Sequence, residues 1–190
     1  MKKTLLALDI GNVCVRIDPP GFAAKYGWER LPAELSQLLM QYETGIIRDE
    51  AAFLQQAAAF FQNRYPAEYI KQTFNQILVE PVPGMEELAG DFENMGVTAI
   101  FFSDISPTHL ARTRELFSTF DRISGGIFSF ESGGLKPSDR MFDRFEKLHG
   151  TPDLYVDDRA DLINAAKERG WNAEIFVSAE DLRKKLRLLS

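Results

Sequence analysis

Three apolar segments of this sequence each end in acidic or hydroxyl side chains. Asp9 follows the first segment within LLALDIGNV, Ser103 and Asp104 follow the second within IFFSDIS, and Asp157 and Asp158 follow the third within LYVDDRAD. The carboxyl ends of parallel strands meet at one edge of a sheet, which is where ligands bind in open α/β folds. Any one of these residues is also typical of a helix cap or a turn, but their repetition after three segments favours a shared site.

Carboxylates gathered at such an edge repel one another, so they either raise a pKa or bind a cation. Mg²⁺ is the expected cation because it prefers oxygen ligands and keeps several waters that a phosphate can replace. Zn²⁺ is disfavoured because the two histidines, His109 and His149, are not adjacent to these carboxylates and fit the surface or the end of a helix. Lys136, within GGLKPSDRMF, is expected to bring an ammonium group to the same edge, the alternative being a solvated loop lysine.

The elements that would position these residues are five short apolar segments that alternate with helical patterns. Such alternation predicts a doubly wound α/β fold with a parallel, five-stranded, Rossmann-like sheet. The predicted strands cover residues 5–8, 97–102, 126–130, 154–156 and 173–177, and core helices are predicted at 107–117 and 137–148.

The connection between the first two predicted strands is far longer than a parallel crossover requires. It contains helical patterns at 32–42, 49–61 and 66–78 and no strand pattern, and prolines flank it on both sides. We therefore predict a helical cap domain at residues 19–80, inserted into an α/β core domain formed by residues 1–18 and 81–190. The YETG segment at 42–45 is expected either to close over Asp9 or to be a plain turn between helices.

Composition and charge exclude several classes of function. The 190 residues carry 22 Lys and Arg against 28 Asp and Glu, a net charge of −6 without a basic stripe, so nucleic acid is excluded as a partner. The apolar segment at 5–8 is too short for a secretory signal and no segment reaches transmembrane length, so neither export nor a membrane is expected. The single cysteine, Cys14, excludes an intramolecular disulfide and fits a buried residue in the reducing cytoplasm.

In their order along the chain, the candidate residues resemble the four motifs of the haloacid dehalogenase (HAD) superfamily. The matching elements are Asp9 in LDIGNV, Ser103 in IFFSDIS, Lys136 in GGLKP, and Asp157 with Asp158 in YVDDRAD. The predicted helical insertion resembles the C1-type cap of that superfamily. The GNV that follows the first motif's aspartate and the cap segment YETGIIRDEAAF are similar to a branch of small-metabolite phosphatases, some of which act on sugar phosphates.

The resemblance implies a Mg²⁺-dependent phosphatase that hydrolyses a small phosphorylated metabolite through an aspartyl-phosphate on Asp9. Ser103 would donate a hydrogen bond to the phosphoryl group, and Lys136 would pair with both that group and Asp9. The metal ligands would be the Asp9 side chain, the Gly11 carbonyl and Asp158. Asp157 would act through a bridging water, or would contact these ligands without touching the metal.

Two positions depart from the superfamily pattern. Gly11 stands where phosphatases usually carry a second Asp as general acid and base, so the leaving group must take its proton from water, from substrate or from a cap residue such as Glu43. Leu162 stands where an Asp or Asn often supports the metal, and Asp161 is a candidate replacement. A catalytically degenerate protein that binds phosphorylated ligands or another protein is therefore one alternative. A 2-haloacid dehalogenase is a second and less favoured one, because those enzymes usually carry Tyr where this chain has Gly11.

Candidate substrate contacts surround these motifs. They are Gly11 and Asp104 beside the nucleophile and Ser103, Glu43 in the cap, and Arg16 just after the first motif. Arg16 is expected either to meet a substrate anion or to stay solvated.

Overall fold

The computed structural model describes residues 3–189. Its strands are β1 (Thr4–Leu8), β2 (Val15–Ile17), β3 (Leu78–Pro81), β4 (Val97–Ser103), β5 (Gly126–Phe128), β6 (Leu154–Asp157) and β7 (Ala173–Ile175). Five of them form a parallel sheet in the order β5-β4-β1-β6-β7, and β2 and β3 form a separate antiparallel pair. The predicted α/β fold with a parallel five-stranded core is confirmed.

Helices cover both faces of the main sheet and fill the long connection. Helices α1 (Pro19–Ala24), α2 (Ala33–Glu43), α3 (Glu50–Phe60) and α4 (Ala67–Asn75) lie between β2 and β3. The core helices are α5 (Met85–Asp91), α6 (Pro107–Leu116), α7 (Ser129–Ser132), α8 (Asp139–His149), α9 (Ala160–Glu168) and α10 (Ala179–Leu189). Within the described residues, no helix is both long enough and apolar enough to cross a membrane.

Alternating side chains of the main sheet pack into two separate cores, one on each face. Leu6 and Leu8 of the central strand β1 belong to a core shared with α5 and α10, where Leu88 and Leu182 are buried. Ala7, which lies between them, belongs to the opposite core, to which α8 and α9 contribute. Alternation with a period of two along a fully buried strand therefore produces three layers, helix, sheet and helix.

The helices of the long connection pack around a third apolar core. It contains Tyr42 from α2, Phe53 from α3 and Phe74 from α4. The rings of Tyr42 and Phe53 stack with their centroids 4.3 Å apart. This separate core accounts for the helical pattern predicted in residues 19–80, and we refer to α1–α4 as the cap.

The connection also contains a strand that the sequence pattern does not indicate. Residues Leu78–Pro81 form β3 and pair antiparallel with β2. Leu78 is the buried residue of this strand, so no apolar alternation marks it in the sequence. The prediction of an insertion without strands was wrong here, and the predicted helix at 66–78 ends at Asn75.

The predicted strand at 126–130 ends earlier, at Phe128. Ser129 begins α7 there, and its buried hydroxyl accepts a hydrogen bond from the Ile105 N–H (3.0 Å) and donates one to the Ile105 carbonyl (3.2 Å). This contact ties the turn after β5 to the turn after β4. The end of the strand is thus set by a partner distant in the sequence, which the local pattern could not show.

Buried polar contacts hold the cap against the N-terminal end of α6. The Tyr42 hydroxyl donates to Thr108 Oγ1 (2.7 Å), and the Thr108 hydroxyl in turn donates to Glu50 Oε1 (2.7 Å). His109 lies in the first turn of α6, in agreement with the expected helix end. It is buried with its Nε2 3.1 Å from the Phe74 carbonyl oxygen, so the alternative of a surface position was wrong. The cap covers this histidine because α4 packs against α6.

Candidate functional site

Asp9 lies in a tight turn directly after β1. The backbone N–H groups of Cys14 and Val15 both donate to the Ile10 carbonyl, at 2.9 and 3.0 Å, and fold the chain back on itself. Asn12 has a φ of 53°, in the left-handed region that asparagine adopts more readily than most residues. The turn holds Asp9, which is only 6% exposed, at the carboxyl end of the central strand.

Lys136 reaches the same place from the loop after α7. Its ammonium group donates to Asp9 Oδ1 (2.8 Å), Asp157 Oδ2 (2.6 Å) and the Phe102 carbonyl (2.9 Å). Burial disfavours its charge, but the nearby carboxylates hold the pKa of Lys136 well above its usual range. Lys136 is 5% exposed, so it is a buried cation of the sheet edge and not a solvated loop residue.

The Asp9 carboxyl is subject to opposing influences. Burial raises its pKa most, the charge of Lys136 lowers it and the charge of Asp157 raises it, which leaves the pKa of Asp9 at about 6. Lys136 donates a hydrogen bond to Oδ1. Oδ2 faces Gly11, since a Cβ added at Gly11 would lie 3.7 Å from this oxygen. Asp9 is therefore mostly ionised at neutral pH, with one oxygen fixed and the other on the Gly11 side.

Ser103 and Asp104, at the end of β4, lie beside this pair. The buried Ser103 side chain lowers the pKa of the Asp9 carboxyl. Asp104 Oδ1 accepts a hydrogen bond from the Lys136 backbone N–H (2.8 Å). Burial raises the pKa of Asp104, and the charge of Lys136 opposes that rise. Asp104 thus holds the loop that delivers the Lys136 ammonium group.

Asp157 is fully buried at the end of β6, and donors of the protein engage both of its carboxylate oxygens. Oδ2 accepts from Lys136 Nζ and from the Tyr155 hydroxyl. Oδ1 accepts from the Arg159 backbone N–H (2.9 Å). Tyr155 was not among the residues predicted for the site, although its place two residues before Asp157 on one strand puts both side chains on the same face of the sheet.

Asp158 is only partly buried, and its Oδ2 accepts a hydrogen bond from Asn12 Nδ2 (2.9 Å). The Asn12 Oδ1 atom in turn accepts from the Ile17 N–H (3.1 Å), which orients the amide. Asn12 therefore joins the turn after β1 to the end of β6. Its position after a glycine in LDIGNV was a signal for the left-handed turn, but not for the contact with Asp158.

The carboxylates of Asp9, Asp157 and Asp158 form a candidate metal site. One oxygen from each lies within 4.8 Å of the other two. Among residues 3–189, the ammonium group hydrogen-bonded to this cluster is that of Lys136, through Asp9 and Asp157. An all-carboxylate donor set suits a hard cation such as Mg²⁺. Because both Asp157 oxygens already have protein donors, Asp9 and Asp158 are the side chains best placed to bind a cation directly.

A cavity of about 300 Å³ extends from this edge of the sheet to the cap. Gly11, Ser103 and Asp104 line it from the core, and Glu43 lines it from α2. Burial and then the charge of Asp104 raise the pKa of Glu43 to about 7. The Glu43 carboxyl group, which is partly protonated at neutral pH, therefore lines the same cavity as Ser103 and Asp104.

The YETG segment ends α2 and forms a turn. Tyr42 and Glu43 belong to the helix, and Gly45 has a φ of 70°. An added Cβ at Gly45 would lie 2.1 Å from the Phe130 carbonyl oxygen, so the cap backbone touches the core at this point. The segment thus ends α2 in a turn and carries Glu43 to the cavity, and closure over Asp9 stays a prediction.

Two candidates from the sequence lie elsewhere. Arg16, on β2, is more than half exposed and pairs with Glu80 Oε1 at 2.9 Å. Asp161, at the start of α9, pairs with the exposed Arg159 side chain at 2.6 Å, and Leu162 is buried. The structure therefore brings together Asp9, Gly11, Glu43, Ser103, Asp104, Lys136, Asp157 and Asp158, and it places Arg16 and Asp161 outside this group.

Solved structures share this architecture over nearly the whole chain. A HAD family enzyme from Bacteroides thetaiotaomicron matches with a TM-score of 0.80 at 19% identity, covering 97% of this chain and 98% of that one. A predicted HAD-like family hydrolase from Porphyromonas gingivalis matches with a TM-score of 0.78 at 16% identity, covering 100% and 98%. This chain has the HAD fold.

The HAD fold is shared by proteins that bind different ligands. A magnesium complex of the Bacteroides thetaiotaomicron enzyme matches with a TM-score of 0.82 at 20% identity, over 97% of this chain and 98% of that one. L-2-haloacid dehalogenase from Xanthobacter autotrophicus, with chloropropionic acid covalently bound, matches with a TM-score of 0.58 at 15% identity, over 98% and 82%. No protein-family model and no curated protein matches the sequence. The predicted resemblance to the HAD superfamily is confirmed in the fold, while the cap type and the branch stay predictions.

Proposed function

We propose that this chain is a Mg²⁺-dependent HAD-type hydrolase of phosphomonoesters that acts on a small phosphorylated metabolite. One observation carries the proposal: the buried Asp9 carboxylate is held by Lys136 within an all-carboxylate cluster at the carboxyl ends of parallel strands. A phosphate ester needs both a nucleophile and compensating positive charge at such a site. The magnesium complex of a protein with the same fold supports the choice of cation.

Asp9 is the proposed nucleophile. One of its oxygens attacks phosphorus and displaces the alcohol, and water then hydrolyses the aspartyl-phosphate. Lys136 holds Asp9 Oδ1 at 2.8 Å, which leaves Oδ2 to attack, and Ser103 donates a hydrogen bond to a phosphoryl oxygen. Asp9, Asp158 and the Gly11 carbonyl would hold Mg²⁺, which supplies charge that offsets the charge of the phosphoryl group. Asp157 positions Lys136.

The departing alcohol needs a proton, and Gly11 has no side chain to supply one. Glu43 lines the same cavity as Gly11 and Ser103, on the side of the cap. A pKa of about 7 keeps part of the Glu43 population protonated at neutral pH, as a general acid requires. We therefore assign proton donation to Glu43.

The fold also accommodates two other functions. A 2-haloacid dehalogenase would attack carbon with the same aspartate and would need no metal, so a cluster of three carboxyl groups favours the phosphatase. A protein that only binds phosphorylated ligands would not need an ionised carboxylate aimed beside a buried lysine, so the Asp9–Lys136 pair favours catalysis.

One experiment separates the three functions. The purified protein is incubated with a panel of phosphate esters, with and without Mg²⁺, and in parallel with 2-chloropropionate. We expect phosphate release that depends on Mg²⁺ and no chloride release. Chloride release without a metal would establish the dehalogenase instead, and saturable binding of esters without hydrolysis would establish the ligand-binding protein.

A further inference from the structure

The cavity between the site and the cap has mainly apolar walls. Its volume of about 300 Å³ lies at the lower end of the range typical of small-molecule pockets. The apolar side chains that line it include Ile17, Leu31, Leu39, Met40, Ile77 and Leu78. A phosphomonoester that places its phosphoryl group beside Asp9 can extend its leaving group into this space, because Gly11 and Ser103, which are neighbours of Asp9, line it.

The charged groups around the cavity are acidic. Glu43 and Asp104 line it, and no lysine or arginine does so among residues 3–189. His109 also lines it, but burial lowers the pKa of His109 to about 4 and its Nε2 faces the Phe74 carbonyl, so it contributes no positive charge at neutral pH. A second anionic group on the substrate would therefore lose its hydration without gaining a cationic partner.

The cavity also offers few partners for hydroxyl groups. Its polar side chains are Ser36, Glu43, Ser103, Asp104 and His109. Ser103 and Glu43 are assigned to the reaction, Asp104 Oδ1 accepts from the Lys136 backbone N–H, and the His109 Nε2 is already engaged by a cap carbonyl. A polyhydroxylated leaving group would bury several hydroxyls against aliphatic walls, and each unpaired one costs free energy. An aliphatic or aromatic group of the same size loses nothing and gains from burial.

We propose, building on the phosphatase function above, that the substrate is the phosphomonoester of a small, uncharged and mainly apolar alcohol or phenol. The cap cavity is the binding site for that leaving group. Sugar phosphates, bisphosphates and phosphorylated carboxylic acids are then poor substrates. The specificity comes from the apolar walls contributed by α2 and by the β2–β3 region, and from the absence of cationic side chains in the described lining.

The test compares esters of primary alcohols, so that the leaving groups differ little in chemistry. 3-Methylbutyl phosphate, glycerol 1-phosphate, glucose 6-phosphate and 3-phosphoglycerate are compared by phosphate release at saturating Mg²⁺. We expect kcat/KM to be at least about tenfold higher for 3-methylbutyl phosphate. Hydroxylated alcohols are the more acidic leaving groups, so intrinsic reactivity works against this order. Equal values, or a preference for any hydroxylated ester, would overturn the inference.

A second measurement does not depend on turnover. The binding of 3-methylbutylphosphonate and of 3,4-dihydroxybutylphosphonate is measured by calorimetry with the Mg²⁺-loaded protein. Tighter binding of the apolar phosphonate supports the inference even if no ester is hydrolysed, an outcome that would refute only the phosphatase function. Equal or weaker binding of the apolar phosphonate refutes the inference while leaving the phosphatase function standing.

A pair of cap variants locates the effect. Met40 lines the cavity from α2 and is 48% exposed, so the fold accommodates Met40→Lys. This change should lower kcat/KM for 3-methylbutyl phosphate about tenfold and raise it for 3-phosphoglycerate. Ile46→Lys is the matched control, because Ile46 is 74% exposed on the same cap and does not line the cavity. Indistinguishable results for the two variants would show that the leaving group binds elsewhere.

Discussion

Replacing Glu43 by Gln tests the assignment of the proton donor. The substitution keeps the size of the side chain and removes its transferable proton. General acids contribute about 10²- to 10⁴-fold to such reactions, so we expect the single-turnover rate for an alkyl phosphate to fall at least ~100-fold. p-Nitrophenyl phosphate should lose far less, because its phenolate leaves without a proton.

The same substitution should increase stability at high pH. The pKa of Glu43 is raised from 4.5 to about 7, so the folded state binds this proton more tightly than the unfolded state does. Wild-type stability should therefore fall as pH rises from about 4.5 through about 7. The shift corresponds to at most about 3 kcal/mol. Glu43→Gln removes this loss, so the variant should be more stable than wild type at pH 8, with no such gain at pH 4.

Both effects are measured on one protein preparation. Single-turnover rates at saturating Mg²⁺ are compared for p-nitrophenyl phosphate and an alkyl phosphate, and urea unfolding is followed at pH 4 and pH 8. Glu34→Gln is the matched control, because Glu34 is exposed in the first turn of the same helix. A similar loss of rate with both esters would refute proton donation by Glu43. A variant no more stable than wild type at pH 8 would refute the raised pKa.

Three further substitutions test the rest of the mechanism. Asp9→Asn removes the attacking charge but keeps the shape of the side chain, so phosphate release should fall at least ~10³-fold with an unchanged circular dichroism spectrum; parent-like turnover would rule out a covalent mechanism. Asp158→Ala should abolish the saturable Mg²⁺ dependence of turnover, and an unaltered Mg²⁺ titration would remove Asp158 from the ligands. Gly11→Asp should reduce the ratio of aryl to alkyl ester rates by supplying a carboxyl group beside the nucleophile, where an added Cβ would lie 3.4 Å from Ile17 Cδ1 and 3.7 Å from Asp9 Oδ2; the same ratio as the parent would contradict this.

The parts of the fold that follow from the sequence are those that depend on local apolar pattern. The central strand β1 and its neighbours β4 and β6 are short apolar segments buried on both faces, and their patterns predict them to within one or two residues. Because these strands are parallel, their carboxyl ends meet, and the acidic groups that follow them must converge. The meeting of Asp9 with Asp157 and Asp158 is thus predictable without knowledge of any side-chain contact.

The parts that do not follow from the sequence depend on partners far along the chain. β3 exists because β2 lies beside it, and α7 begins where it does because Ser129 meets Ile105. His109 has the pattern of a helix residue, but whether it is exposed is decided by the packing of α4 against α6. The Tyr155 hydroxyl meets Asp157 on its own strand, but the Lys136 ammonium group that shares Asp157 Oδ2 comes from the distant loop after α7.

The balance of charge at the site is the reason that the proposed phosphatase function calls for a cation. Three carboxyl groups converge there against one ammonium group, and that group is already engaged by Asp9, Asp157 and the Phe102 carbonyl. A phosphate dianion arriving alone would add to the negative charge beside Asp9 and would be repelled by the group that must attack it. Asp9 and Asp158 would hold a divalent cation, whose charge would offset that repulsion. Loss of Asp158 should therefore weaken substrate binding and turnover together, whereas loss of Glu43 should change catalysis through the departure of the alcohol alone.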